Sequence, residues 1–145
     1  MKLMAVLGTA AIAATLFAAP AAAAAPDTGV ARNLATGRCL DSNHDGAVYT
    51  LTCNGGNHQN WHRGSAPHGA TFYNTATGKC LDSDRDGAVY TLACNGGNNQ
   101  QWRLIRTGAG LRVENVATGR CLDSNHDGAV YAIGSNGGNH QNWVF

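Results

Sequence analysis

The sequence predicts an all-β domain closed as a barrel with threefold internal repetition, and three observations carry that prediction. The stretch Cys39 to Trp61, CLDSNHDGAVYTLTCNGGNHQNW, returns almost letter for letter at Cys80–Trp102 and again at Cys121–Trp143. Within each copy, short alternating apolar and polar runs are broken by Gly-rich turns, and nothing there shows a helical period. Three copies of a unit of about 40 residues are fewer than a propeller needs, and one unit is too small to bury its own apolar face. Closing the strands on themselves removes exposed edges.

The elements follow in chain order. The repeats read as 29–69, 70–110 and 111–145, the last ending soon after its Trp. In the first repeat, VARNL from Val30 reads as a strand, ATG as a turn and CLD from Cys39 as a second strand. The turn Asp45-Gly46 and the alternating run Ala47–Thr52 follow. A second turn, Asn54-Gly55-Gly56-Asn57, leads to a short segment ending Gln59-Asn60-Trp61. Four short strands per unit give about a dozen in all. Repetition places Trp61, Trp102 and Trp143 in the core, with Leu40, Leu81, Leu122, Val48, Val89 and Val130.

Residues 1–25 stand apart. Lys2 precedes an apolar run from Leu3 to Phe17, and small residues follow around Pro20 up to Ala25, the order of a secretory signal peptide cleaved between Ala21 and Ala25. A secreted, extracellular, soluble mature protein is therefore expected. Ten Lys and Arg stand against nine Asp and Glu, and without Lys2 the two signs balance. A neutral surface with no basic cluster argues against nucleic acid or membrane as partner. The five cysteines of a secreted chain suggest disulfides. Cys39 and Cys53 hold the same repeat positions as Cys80 and Cys94, so pairing within each unit is expected. Each bond closes a loop of about 15 residues and contributes roughly 3 kcal/mol. Cys121 faces Ser135 and has no partner, so it reads as a buried thiol in a monomer, with a bridge to a second chain as the alternative.

Three copies of Gln-x-Trp (Gln59-Asn60-Trp61, Gln100-Gln101-Trp102, Gln141-Asn142-Trp143), each preceded by Cys-Leu-Asp and Asn-Gly-Gly, resemble the ricin-type β-trefoil lectin family. The resemblance covers nearly all of residues 29–145. It is closer still to the actinohivin-like members, whose units are similar to LDSNxxGxVYTLxxNGGNYQxW and which bind high-mannose glycans. It implies a β-trefoil with the Trp residues in the core and each motif Gln amide bonded to backbone; no catalytic residues and no cofactor are expected.

Asp41, Tyr49, Leu51 and Asn54 form the candidate binding set, repeated as Asp82, Tyr90, Leu92 and Asn95 and as Asp123, Tyr131, Ile133 and Asn136. A carboxylate accepts from two adjacent sugar hydroxyls, an amide both donates and accepts, and an apolar or aromatic side chain covers the C–H face of a ring. The resemblance assigns these positions to a mannose pocket. Taken singly, Asp41 could serve an Asx-turn, Asn54 a Gly-Gly turn, and Tyr49 and Leu51 the core. The Asp side chains read as exposed, so that their loss would strand no buried partner. His58, Asn99 and His140 stand where actinohivin-like units carry Tyr against the sugar. They cover less apolar surface, which should weaken each pocket and repeat two most.

Other chemistries fit less well. Asp41-x-Asn43-x-Asp45-Gly46 and Asp82-x-Asp84-x-Asp86-Gly87 open like a calcium loop, yet position twelve is Thr52 or Ala93 where a bidentate Glu is needed. A glycosidase needs two carboxyl groups flanking one asymmetric site, whereas these carboxylates cluster in single turns and the only Glu is Glu114. His44, His58, His62, His68, His126 and His140 fall in predicted turns or loops and read as solvated, so no metal is expected. The sequence leaves open a galactose- or xylan-binding module serving a separate glycoside hydrolase, and a structural or inhibitor trefoil that binds no sugar.

Overall fold

The computed structural model describes residues 11, 13–15 and 27–145, so the predicted signal peptide, apart from those four positions, lies outside the described residues. Thirteen short strands carry the rest: β1 (Thr28–Gly29), β2 (Arg32–Asn33), β3 (Cys39–Ser42), β4 (Val48–Leu51), β5 (Trp61–Ala66), β6 (Gly69–Asn74), β7 (Cys80–Ser83), β8 (Val89–Leu92), β9 (Trp102–Arg106), β10 (Leu111–Asn115), β11 (Cys121–Ser124), β12 (Val130–Ile133) and β13 (Asn142–Val144). The only described helices are 3-10 turns at Asn57–Gln59, Asn98–Gln100 and Asn139–Gln141, one just before each Trp strand.

The strands close a ring. The pairs β5–β6, β6–β9, β9–β10 and β10–β13 run consecutively, and the N-terminal stretch completes the circle because β2 pairs with β13 while β1 pairs with β5. The hairpins β3–β4, β7–β8 and β11–β12 branch from this barrel through the contacts β2–β3, β6–β7 and β10–β11. That is a β-trefoil, the fold that repetition and resemblance together predict.

Inside lie Trp61, Trp102 and Trp143, with Leu40, Leu81, Leu122, Val48 and Val89, all buried. Val130 departs from the prediction by being only partly buried. Besides Ala132, the core also holds Ala31, Phe72 and Val113. These three share one repeat position but differ in identity, which hid them from a reading based on identical residues. Each Trp Nε1 donates to the carbonyl of Leu40, Leu81 or Leu122 at 2.9–3.0 Å, so burying the indole leaves no donor unmatched. Each motif Gln is buried and serves the backbone as predicted. Gln59 Nε2 donates to the Thr52 carbonyl at 3.1 Å and its Oε1 accepts from the Asn54 amide at 2.9 Å.

The Asp-Gly turns interlock the repeats. Thr91 N donates to the Gly46 carbonyl, Ala132 N to that of Gly87 and Thr50 N to that of Gly128, each at 2.9 Å. The three glycines have φ of 89°, 90° and 92°, and a Cβ on Gly46 would meet the Thr91 carbonyl oxygen at 2.7 Å. Only glycine fits both the left-handed backbone and the close approach. Beneath the turns the hydroxyls of Ser42 and Thr91, and of Thr50 and Ser124, pair at 2.9 Å, whereas Ser83 faces Ala132 at the third junction and has no such hydroxyl there.

The disulfides are Cys39–Cys53 and Cys80–Cys94, each with Cα atoms 5.1 Å apart, as predicted. Cys121 is free and fully buried, and burial pushes its thiol up. A bridge from it to a second chain would require opening β11. Among the described residues no helix is long and apolar enough to cross a membrane.

Candidate functional site

Each hairpin builds one copy of the candidate site. Asp41 on β3 lies directly opposite Tyr49 on β4, and cross-strand partners project to the same face. Asp82 and Tyr90, and Asp123 and Tyr131, repeat the pairing. Each Tyr phenol is close enough to its Asp to feel the carboxylate charge. Desolvation first, and the Asp charge second, push Tyr49, Tyr90 and Tyr131 above the ordinary phenol value of 10.0. Two residues beyond each Tyr stand Leu51, Leu92 and Ile133, which remain 45%, 48% and 38% exposed. An apolar side chain held open beside a carboxylate suits a ligand with a C–H face and a hydroxyl edge.

The carboxylates themselves correct the sequence reading. Asp41, Asp82 and Asp123 are each only 3% exposed, because β3, β7 and β11 run beneath the 3-10 turns. In repeat two Gln100 Nε2 donates to Asp82 Oδ2 at 3.0 Å, so removing this carboxylate does strand a buried partner.

Asn54, Asn95 and Asn136 are exposed turn residues. Their Oδ1 atoms accept from the amides of Gly56, Gly97 and Gly138 at 2.8–2.9 Å, the Asx-turn that the sequence allowed as an alternative. In the DxNxDG segments, the oxygens of Asn43, Asp84 and Asn125 accept from amides of their own turns at 3.0 Å. Among the described residues no group of three or more His, Cys, Asp or Glu is placed to hold a metal ion.

The residue before each motif Gln is held twice. His58 Nδ1 donates to the Ser42 carbonyl at 2.7 Å, Asn99 Nδ2 to that of Ser83 at 2.7 Å, and His140 Nδ1 to that of Ser124 at 2.6 Å. From the preceding or following repeat, the buried amides of Asn74, Asn115 and Asn33 donate to the carbonyls of His58, Asn99 and His140 at 2.8 Å. These Asn residues recur at one repeat position, a signal present in the sequence but lost among the variable outer strands.

Repeat three shows the result as an open cavity of about 330 Å³, lined by Asp123, Tyr131, Ile133, Asn136 and His140, all predicted, together with Asn125 and His126. His126 was read as a solvated loop residue. It is indeed exposed in its turn, and its ring also meets that of His140 edge to face, with centroids 5.1 Å apart. His44 and His58 repeat the contact at 5.2 Å.

Fold and site together define a β-trefoil carbohydrate-binding domain. The sequence model for the ricin-type beta-trefoil lectin domain matches residues 27–144, and the chain belongs to that family. Its role is carbohydrate binding. Among solved structures, the designed 3-fold symmetric protein ThreeFoil is 30% identical with a TM-score of 0.74, covering 81% of this chain and 96% of its own. The exo-beta-1,3-galactanase 1,3Gal43A from Clostridium thermocellum is 22% identical with a TM-score of 0.73, covering 79% of this chain. This chain spans only 29% of the galactanase. SeviL, bound to asialo-GM1 saccharide, is 17% identical with a TM-score of 0.70, covering 83% of this chain and 96% of its own. At their level of identity the last two show the shared fold alone.

Proposed function

We propose that this chain is a secreted lectin that binds mannose-type glycans through three pockets. The observation that carries the reading is the recurrence in every repeat of a carboxylate paired across the hairpin with a Tyr, beside an open Leu or Ile. The cavity in repeat three is at the small end of ligand sites, so each pocket takes a terminal sugar or two and binds it weakly. Engaging several branches of one glycan raises avidity by about 10² to 10⁴ where geometry allows. Mannose is supported by the likeness of LDSN, VYTL and NGGN to actinohivin-like units. Secretion is supported by Lys2 with its following apolar run and by the two disulfides.

A glycan array tests the proposal. Signal concentrated on mannose-terminated, branched glycans is expected. Signal confined to galactose or xylan structures refutes the mannose assignment while keeping the lectin, and a blank array refutes the lectin. Asp123→Asn, which keeps the volume of the side chain, is expected to weaken binding to branched mannose glycans without removing it, because two pockets remain.

A further inference from the structure

We infer that the pockets fall into two classes, and that the paired imidazoles His44–His58 and His126–His140 are ligand-facing walls that make pockets one and three release their sugar on acidification. Pocket two holds Arg85 and Asn99 at the same positions and keeps its sugar. This deepens the sugar-binding reading and rests on it.

The geometry fixes the chemistry. Rings at 88–89° with centroids 5.1–5.2 Å apart form an edge-to-face contact, in which the exposed His44 and His126 lie against the half-buried His58 and His140. Because a carbonyl can only accept, the Nδ1 atoms of His58 and His140 carry the hydrogens donated to Ser42 and Ser124. In the neutral ring that leaves Nε2 as an acceptor. In repeat three both rings line the same cavity as the Asp123 carboxylate, so a hydroxyl-rich ligand meets two kinds of acceptor there. A proton on Nε2 turns the acceptor into a donor. Protonation therefore removes one of the two kinds of acceptor that the sugar hydroxyls meet in the pocket.

The surrounding charges are these. His58 meets His44 in the turn of the β3–β4 hairpin, whose other titratable groups are Asp41, Asp45 and Tyr49. From the next repeat Lys79 Nζ donates to the His44 carbonyl at 2.7 Å. Around His140 stand Asp123, Tyr131, His126 and Asp127, and Arg38 Nη1 lies beside Gly128 in that turn. A second proton on a ring 5.1–5.2 Å from the first is opposed by the first proton and by the nearby Lys or Arg. One proton per pair is therefore enough to switch the site. Sugar binds the neutral pair, so affinity is lost when the pair takes up a proton.

The test compares the array at pH 7.5 and pH 5.0 for the whole protein and two variants, each checked for folding by circular dichroism at both pH values. The protein is expected to lose about tenfold or more of its signal at pH 5.0 and to keep a residue from pocket two. In His44→Arg/His58→Asn/His126→Arg/His140→Asn every pocket resembles pocket two, and the change between the two pH values should fall below about twofold. Asn99 makes the same carbonyl bond as the His residues, so this variant retains that fold contact. Conversely, Arg85→His/Asn99→His should lose the signal that the unaltered protein keeps at pH 5.0. Equal signal at both pH values in the unaltered protein overturns the inference alone, as does an unchanged acid loss in the quadruple variant. A blank array at both pH values overturns the sugar reading and this inference with it.

Discussion

Gly46→Ala and Gly55→Ala make a matched pair that isolates the interlock between repeats. Both glycines sit in turns of repeat one with positive φ, 89° and 71°. Alanine costs about 1 kcal/mol or somewhat more at either position through the left-handed backbone alone. At Gly55 nothing lies within 4 Å of the new Cβ, so that is the whole cost. At Gly46 the Cβ meets the Thr91 carbonyl oxygen at 2.7 Å, inside contact distance, and this oxygen belongs to a strand rather than to a mobile side chain. Relieving the overlap costs about 1–3 kcal/mol. It also pulls Gly46 from Thr91, whose amide donates to the Gly46 carbonyl at 2.9 Å, at about 1 kcal/mol. Gly46→Ala should therefore destabilise by about 3–5 kcal/mol and Gly55→Ala by about 1 kcal/mol. Urea titration followed by Trp fluorescence measures both, since Trp61, Trp102 and Trp143 are buried. Equal losses for the two variants would refute the interlock.

Asp82→Ala should lower stability by about 1–3 kcal/mol as well as weaken binding, because Gln100 Nε2 loses an acceptor in a buried position, whereas Asp82→Asn should recover most of the stability in a thermal melt. Ala132→Thr should stabilise by about 0.5–1.5 kcal/mol by giving Ser83 the hydroxyl partner that Ser42 and Ser124 already have, read as a shift in the urea midpoint. Tyr49, Tyr90 and Tyr131 have raised folded values, so their contribution to stability is whole below the ordinary phenol value of 10.0 and is lost as pH rises through the folded values. Ultraviolet difference titration should show them ionising later than in the urea-unfolded chain, and coincident curves would refute their desolvation beside the Asp charge.

Repetition is why so much could be read from residues alone. A threefold repeat of Cys-Leu-Asp, Asp-Gly and Gln-x-Trp determines the strand count, the within-unit disulfides and the burial of Trp61, because any solution for one unit must hold for its copies. Tyr49 and Leu51 were legible for the same reason, since strand period puts them on one face, whereas Asp41 joins them only through the register of β3 against β4. What escaped depends on contacts between units or across a turn. Ala31, Phe72 and Val113 share one core layer, and no local pattern links such different side chains. The exposure of Asp41 was misjudged because nothing adjacent to it in the chain marks the turn that covers it, which arrives from Asn57–Gln59. The edge-to-face imidazoles likewise join His44 to His58 across a hairpin and a turn. A single chain can announce which side chains recur, but burial and pairing are set by what packs over them, and only the closed barrel brings those elements together.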